Sequence, residues 1–260
     1  SQEPITLLAI GPLPNVAAAL EREPHIAMKA RFVGMHGSVR VGYDQGKTQP
    51  DKEYNVEAFI KEAQKVFTAG WEITITPLDT CGTVVLRDDK YKKVLNSNNP
   101  LAKALMETYR VWSGNNLELT NVKSTVLFDT VAIYLAMRSD LVQMENLGIR
   151  VTDDVYMVID EKAKKINCAT KWKDLDAFEN FLVERITNPV GVQNSVGGEP
   201  AVHPSANSVR IPVILHTNTT QTVTQVTADA GKIPGPKTEV RMLMGRPAFY
   251  LDEKPFTDPL

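Results

Sequence analysis

One stretch of the chain, Lys52 to Gly82, constrains the fold more than any other, because it predicts a helix followed directly by a strand. Its first half has the apolar spacing of an amphipathic helix, carried by Val56, Phe59, Ile60, Ala63 and Phe67. Its second half alternates as a strand does, with Ile73 and Ile75 between polar residues, and Pro77 ends the strand. Gly70 stands between the two halves and predicts a left-handed cap on the helix.

Polar side chains collect just outside this apolar unit. Glu53 and Asn55 precede the helix, and Asp79 and Thr80 follow the strand. In open α/β sheets, ligands bind in the crevices at the strand ends, where loops deliver such side chains. The first candidate site is therefore at the ends of this unit, although Asp79 and Thr80 are also well suited to satisfy backbone groups at the turn.

The rest of the first 186 residues continues the alternation of helices and strands. Residues 5–10 (ITLLAI) form a mostly apolar run, which is typical of a strand buried on both faces, and Asn15 is suited to cap a short helix over residues 16–21. Further strands are predicted at 32–35 and in a hairpin of 155–159 with 165–169, and further helices at 101–112, 128–137 and 175–186. This pattern predicts an α/β fold with a mainly parallel central sheet flanked by helices, doubly wound.

The composition changes after residue 186. Residues 187–208 are rich in Pro, Gly, Ser, Asn and Val, and residues 209–215 and 222–226 are β-prone. We therefore expect an α/β domain over residues 1–186 and an extended, β-prone C-terminal arm over residues 187–260, lying outside the main layers.

Charge and hydropathy exclude some classes of partner. A net charge of −2 gives no reason to expect nucleic acid or an anionic membrane surface as a partner, and no apolar run approaches the length of a membrane span. The two cysteines cannot form a disulfide framework. The sequence leaves secretion and a cytoplasmic location equally open, since its one glycosylation sequon, at Asn218, is a short tripeptide that arises by chance.

Four ordered motifs resemble the inosine-uridine-type nucleoside hydrolase family. The first two are LLAIGPLPN at residues 7–15 and VGMHG at 33–37. The third begins with EYNV at 53–56, continues through the following helix and ends with TPLDT at 76–80. The fourth is FDTVA at 128–132. The resemblance runs over roughly residues 4 to 186. It implies hydrolysis of the bond between ribose and base, with a bound calcium ion that holds the ribose hydroxyls and the attacking water.

The resemblance also implies roles for individual residues. Glu53 and Asn55 match residues that bind the ribose hydroxyls, and Asp129 matches a calcium-ligating aspartate. The main chain near Gly34 and Met35 matches the place where the family gives the metal a carbonyl oxygen. We expect these groups to converge on one cleft. The alternatives that remain open are a helix N-cap for Asp129, and loop solvation with helix capping by Asn55.

Three departures from the family pattern bear on activity. The acidic DxDxxxDD cluster, expected to supply most calcium ligands and the general base, is not found, and the family places it upstream of residue 5. Phe128 stands where a family subgroup has a histidine that protonates the leaving base; phenylalanine transfers no proton, although it can stack on a base. Phe59 replaces an aspartate and continues the apolar stripe. His36 and Cys81 are interpreted as structural.

Two functions follow as expectations. The first is a nucleoside hydrolase chain that acts on ribonucleosides together with a separate N-terminal fragment or subunit carrying the acidic segment. We also expect the chain to form a homo-oligomer. The second is a non-catalytic binding or structural protein on the same scaffold. A co-purifying fragment that carries the DxDxxxDD segment supports the first function, and its absence, with a chain that folds alone, supports the second.

Overall fold

The computed structural model describes residues 5–43, 47–188, 239–243 and 246–250 of the 260-residue chain. The chain divides into two units, Ser1–Val192 and Gln193–Leu260. The β-prone segments 209–215 and 222–226, and most of the expected C-terminal arm, lie outside the described residues. In the described part, no helix has the length and apolar character needed to cross a membrane.

The first unit contains a six-stranded sheet in the order β1-β2-β3-β6-β4-β5. Its strands are β1 (Ile5–Ala9), β2 (Ala30–Met35), β3 (Ile73–Thr76), β4 (Val142–Val151), β5 (Met157–Ile159) and β6 (Lys165–Trp172). The pairs β1–β2, β2–β3 and β3–β6 are parallel, whereas β4 pairs antiparallel with both β6 and β5. The predicted α/β fold with a mainly parallel sheet is confirmed.

Helices cover both faces of this sheet. They are α1 (Pro14–Arg22), α2 (Ile26–Lys29), α3 (Tyr54–Glu57), α4 (Ile60–Thr68), α5 (Leu78–Cys81), α6 (Asp88–Leu95), α7 (Pro100–Trp112), α8 (Leu117–Thr120), α9 (Phe128–Met137) and α10 (Leu175–Thr187). Neighbouring residues of β2 point to opposite faces, so Phe32 packs with the cluster that includes α1 and α4, and Val33 packs with the cluster that includes α9 and α10. The second unit contributes the antiparallel pair β7 (Glu239–Leu243) and β8 (Arg246–Tyr250).

The helix predicted between Val56 and Phe67 is broken in two. Phe59, in a non-helical conformation with φ −147° and ψ 75°, separates α3 from α4 and is 39% exposed, so the prediction that it continues the apolar stripe is wrong. Gly70 is not a left-handed cap, because it has no positive φ. The helix ends because the backbone adopts an extended conformation at Ala69. The indole N–H of Trp71 donates to the Val66 carbonyl at 3.0 Å, and so satisfies one of the carbonyl groups in the last turn of the helix.

The predicted hairpin of residues 155–159 with 165–169 is wrong, because β4 lies between β5 and β6. Sequence patterning missed β4 for a physical reason. The consecutive polar residues Glu145 and Asn146 interrupt the two-residue alternation on which strand recognition depends, and leave it regular only from Leu147 to Val151.

Two further expectations need correction. Asn15 does not begin α1, whose N-cap is Leu13 without a side-chain cap. Strand β1 is not buried on both faces: Ile5 is 56% exposed, and within the described residues β1 pairs with β2 alone. The edge of β1 that faces away from β2 is therefore unpaired in this part of the chain.

The break at Phe59 leads to a first testable prediction. Phe59 is the N-cap of α4 and makes no side-chain cap, whereas an aspartate there would accept from the first backbone N–H groups of the helix. We expect Phe59→Asp to have a free energy of unfolding about 1 kcal/mol higher than Phe59→Ala, which loses the same ring without gaining a cap. Chemical denaturation of both variants measures the difference, and equal stabilities would show that position 59 does not cap α4.

Candidate functional site

Glu53 ties the loop after β2 to the start of α3. Its Oε1 accepts from the Asn55 backbone N–H at 2.8 Å, and its Oε2 accepts from those of Gly37 at 2.9 Å and Val56 at 3.3 Å. Glu53, not Asn55, is thus the cap of this helix, and it is 6% exposed. A carboxylate offers about four lone-pair directions, so one remains for a ligand hydroxyl.

Asn55 joins the same cluster from α3. Its Nδ2 donates to the backbone carbonyl of Met35 at 2.9 Å and lies 3.3 Å from the Met35 sulfur. Met35 is the last residue of β2, so the contact lies at the carboxyl end of a parallel strand. Within the described residues the side-chain oxygen of Asn55 accepts no hydrogen bond, which leaves it as an acceptor for a ligand hydroxyl.

Asp129 lies in the first turn of α9, which packs against β1, β2 and β3. The alternative that Asp129 caps this helix is excluded, because the N-cap is Leu127 and no side chain caps it. Burial raises the pKa of Asp129. Burial is also the main cause of the raised pKa of Glu53, and the charge of Asp129 raises that pKa further. The two carboxyl groups are thus close enough to interact electrostatically, as a shared site requires.

Phe128 is half-buried and packs with the cluster that contains Met35, Leu78 and Cys81. The ring of Tyr43 meets it edge-on, with centroids 5.6 Å apart and planes at 82°. Tyr43 belongs to the loop between β2 and α3, and it remains 45% exposed. Sequence patterning gave no signal for Tyr43, because the contact joins positions that are 85 residues apart and lie in an irregular loop and at a helix start.

Asp79, at the start of α5, fixes the loop that carries Tyr43. Its Oδ2 accepts from the Val39 N–H and its Oδ1 from the Arg40 N–H, both at 2.8 Å. Thr80 donates its hydroxyl to the Ala169 carbonyl at 2.9 Å. Both side chains satisfy backbone groups, but the prediction that they do so at the turn is wrong for Asp79, whose partners lie in the β2–α3 loop; Thr80 contacts the Pro77 carbonyl at the turn, at 3.3 Å, as well as Ala169 on β6.

Arg40 anchors the loop a second time, through its side chain. Its two terminal nitrogens donate to the two carboxylate oxygens of Glu145 on β4, at 2.8 and 2.9 Å. Thr170 donates its hydroxyl to the same carboxylate. The hydrogen bonds from Arg40 and Thr170 lower the pKa of Glu145 to about 2, and the contribution of Arg40 is the larger.

This ion pair leads to a second prediction. A carboxyl whose pKa is lowered on folding stabilises the protein above its unfolded pKa, near 4.5, and loses that contribution as the pH falls towards about 2. We expect Glu145→Gln to lower the free energy of unfolding by about 1 kcal/mol at pH 7 and by close to nothing at pH 2. The value at pH 7 is kept small because both side chains of the ion pair are partly exposed to solvent. Urea unfolding at the two pH values measures this cost. A matched variant of the exposed Lys61–Asp153 pair, Asp153→Asn, should change stability little at either pH.

His36 and Cys81 are both structural, as interpreted from the sequence. His36 is fully buried beside Phe32 and Phe67, with Nε2 3.1 Å from the Gly11 carbonyl, and burial lowers its pKa to about 4. The imidazole is therefore neutral at pH 7. Burial raises the pKa of the Cys81 thiol well above its usual value, and the thiol donates to the Pro77 carbonyl at 3.2 Å. A thiol held in this form is a poor nucleophile.

The described residues do not by themselves make a calcium site. No group of three or more His, Cys, Asp or Glu side chains among them could hold a metal ion. Both oxygens of Glu53 already accept from backbone N–H groups, and the Met35 carbonyl accepts from Asn55. Of the two carboxylates in this cluster, Asp129 is therefore the more available to a cation, whereas calcium takes about 6–8 oxygen ligands.

Comparison with known proteins points to one family. The family described as "Inosine-uridine preferring nucleoside hydrolase" matches residues 1–184. Non-specific ribonucleoside hydrolase RihC of Salmonella paratyphi A is 32% identical over 192 residues, which cover 70% of this chain and 60% of the relative. Uridine nucleosidase 1 of Arabidopsis thaliana is 26% identical over 175 residues, covering 65% of this chain and 51% of that protein.

Solved structures agree on the fold. A plant nucleoside hydrolase superposes with a TM-score of 0.61 at 22% identity, covering 71% of this chain and 62% of its own. A purine-preferring ribonucleoside hydrolase from Gardnerella vaginalis superposes with a TM-score of 0.56 at 21% identity, and the match covers 70% of this chain and 60% of that chain. The chain thus spans about half to three fifths of the length of these relatives. Since the family match extends over most of the chain, the protein belongs to the inosine-uridine preferring nucleoside hydrolase family.

Proposed function

We propose that the Ser1–Val192 unit forms the ribose-binding side of a ribonucleoside hydrolase site. The observation that carries the proposal is the buried contact of Glu53, Asn55 and Met35 at the carboxyl end of β2, within electrostatic reach of Asp129. Ligands of parallel sheets bind at this edge. The completed protein hydrolyses the N-glycosidic bond of ribonucleosides, releasing ribose and free base.

The chemistry of these groups suits a sugar. Ribose presents several hydroxyl groups, and the remaining lone pair of Glu53 and the amide oxygen of Asn55 both accept hydrogen bonds from hydroxyls. Because three backbone N–H groups hold the Glu53 carboxylate in place, it needs little reorganisation when the sugar binds. Calcium, when bound, would hold ribose hydroxyls and the attacking water, with Asp129 as one ligand.

The remaining metal ligands and the general base belong, in this proposal, to an acidic segment on a separate N-terminal fragment or subunit. Two observations support it. Among the described residues no group of three or more His, Cys, Asp or Glu side chains could hold a metal ion, and within the same residues β1 is unpaired on its side away from β2, where another strand can add.

A second candidate is a protein that binds ribonucleosides without hydrolysing them. The identity of residue 128 favours it, because the phenylalanine ring there has no proton to give a leaving base. Both candidates require the ribose contacts, and they differ in turnover alone.

The ribose contacts are tested with a C-nucleoside, whose carbon–carbon glycosidic bond resists hydrolysis, and its 2′-deoxy form. We expect ligand-observed NMR on the purified chain to show about tenfold tighter binding of the ribo form, since a site built to accept from a hydroxyl discriminates against its absence. Asn55→Leu should remove the preference, and Asn180→Leu, on the exposed side of α10, should retain it. Equal affinities for the two forms in the unaltered protein would overturn the proposal.

A further inference from the structure

Helix α7 has two apolar sides, and one of them faces solvent. On the inner side, Ala102 is buried, and Met106 packs with apolar residues of α6 and α10. The outer side carries a second apolar stripe, with the i, i+3, i+4, i+7 spacing of a helix that packs against another helix. This outer stripe consists of Leu101, Ala104, Leu105, Thr108, Val111 and Trp112. Its four large side chains are 46–53% exposed, and none of its six residues is charged.

Trp112 is held in place at the end of the outer stripe. Its ring stacks on that of Tyr109, with centroids 5.9 Å apart and planes at 25°, and the Tyr109 hydroxyl donates to the Lys123 carbonyl at 3.2 Å. A half-exposed tryptophan fixed in this way loses little conformational freedom when a partner covers it, as an interface anchor requires. The large side chains of the outer stripe offer on the order of 300 Å² of apolar surface, the size that functional patches reach.

Two charges of opposite sign on one flank of the outer stripe indicate which partner covers it. Lys103 and Glu107 are one turn apart and exposed, and within the described residues neither forms an ion pair. Two copies of α7 that pack antiparallel about a two-fold axis beside Leu105 bring Lys103 of each copy opposite Glu107 of the other. A parallel pair would instead place like charges opposite each other, which is unfavourable. The charge pattern therefore matches a second, antiparallel copy of the same helix.

We propose that the outer stripe of α7 is the interface of a homodimer in which two copies of the chain pack antiparallel. Leu105 meets its own counterpart at the two-fold axis, and Leu101 lies against the turn that carries Thr108 and Trp112 in the other copy. An apolar centre of this size with a polar rim is at the low end of stable interfaces, so we expect a dissociation constant on the order of 10 μM. The dimer is independent of the ribose contacts, because α7 contributes none of them.

The first test is the oligomeric state of the full chain, measured by analytical ultracentrifugation over a concentration series. We expect a monomer–dimer equilibrium. Leu105→Glu should weaken it at least about tenfold, because two carboxylates would then meet at the axis. Met28→Glu, which places the same charge on an exposed apolar position of α2, should leave the equilibrium unchanged.

A charge reversal tests the antiparallel arrangement. Lys103→Glu should weaken the dimer about three- to tenfold, since two attractive contacts become repulsive. Adding Glu107→Lys to that variant should restore the affinity, which it would not do if Lys103→Glu acted by disturbing the fold. Leu105→Cys should also form a disulfide-linked dimer under mild oxidation, whereas the unaltered chain should not, because Cys81 and Cys168 are fully buried.

Three results would overturn the inference. They are a chain that remains monomeric up to about 100 μM, a dimer that Leu105→Glu leaves intact, and a dimer that the double charge reversal does not restore. The last result would show that the two copies are not antiparallel. Circular dichroism confirms that each variant is folded, and the charge reversals decide the matter if Leu105→Glu does not fold.

Discussion

Replacing Glu53 by alanine is expected to lower the free energy of unfolding by about 3 kcal/mol and to abolish ribonucleoside binding. The substitution leaves the backbone N–H groups of Gly37, Asn55 and Val56 without their acceptor in a buried setting. Each unsatisfied buried donor costs about 1–3 kcal/mol, offset in part because a buried carboxylate is no longer desolvated. Urea denaturation monitored by circular dichroism measures the loss.

The control is Glu57→Ala, in the same short helix but exposed, which should change stability by no more than about 0.5 kcal/mol. The effect of Glu53→Ala should also depend on pH. The pKa of Glu53 is raised in the folded protein, so the stability that it contributes is fully present below its unfolded value of 4.5 and declines as the pH rises through its folded pKa. A cost that is larger at pH 7 than at pH 4 would contradict this account of the cluster.

The sequence predicts the α/β class with its mainly parallel sheet, and it singles out Glu53 and Asn55 as a candidate site, because both predictions depend on local patterns. The run from Ile73 to Thr76 alternates as a strand should, Glu53 stands directly before α3, and Asn55 lies within that helix. Strand topology then brings their side chains to the carboxyl end of β2. The family resemblance and the periodicity agree on this point, although they are independent arguments.

The parts that the sequence did not predict depend on contacts between distant residues. The clamp of Asp79 on the β2–α3 loop joins backbone groups forty residues away, and the ring contact of Tyr43 with Phe128 joins an irregular loop to a helix start. No periodicity encodes either contact. Strand β4 was missed for a different reason, because the consecutive polar residues Glu145 and Asn146 interrupt its alternation. The break at Phe59 was missed because apolar spacing continues across it.

The second large effect concerns calcium and turnover together. Of the two carboxylates at the proposed ribose site, Glu53 already accepts from three backbone N–H groups, which leaves Asp129 as the main cation ligand, and a site with one carboxylate lacks the charge and ligand number for tight binding. We expect this chain alone to bind calcium no better than about millimolar and to show no hydrolysis of inosine or uridine. Adding a peptide or subunit that carries the DxDxxxDD segment should raise calcium affinity and start hydrolysis together, since the same ion is needed to activate water.

The most direct measurement is a calcium titration of the purified chain combined with an assay of base release from inosine and uridine, before and after the acidic segment is added. A segment in which the aspartates are replaced by asparagines serves as the control and should restore neither property. We predict that calcium binding and turnover appear only with the intact segment, and that Asp129→Asn in the completed protein reduces both. Robust hydrolysis by this chain alone would contradict the account, because it would require a metal site and a general base other than those described.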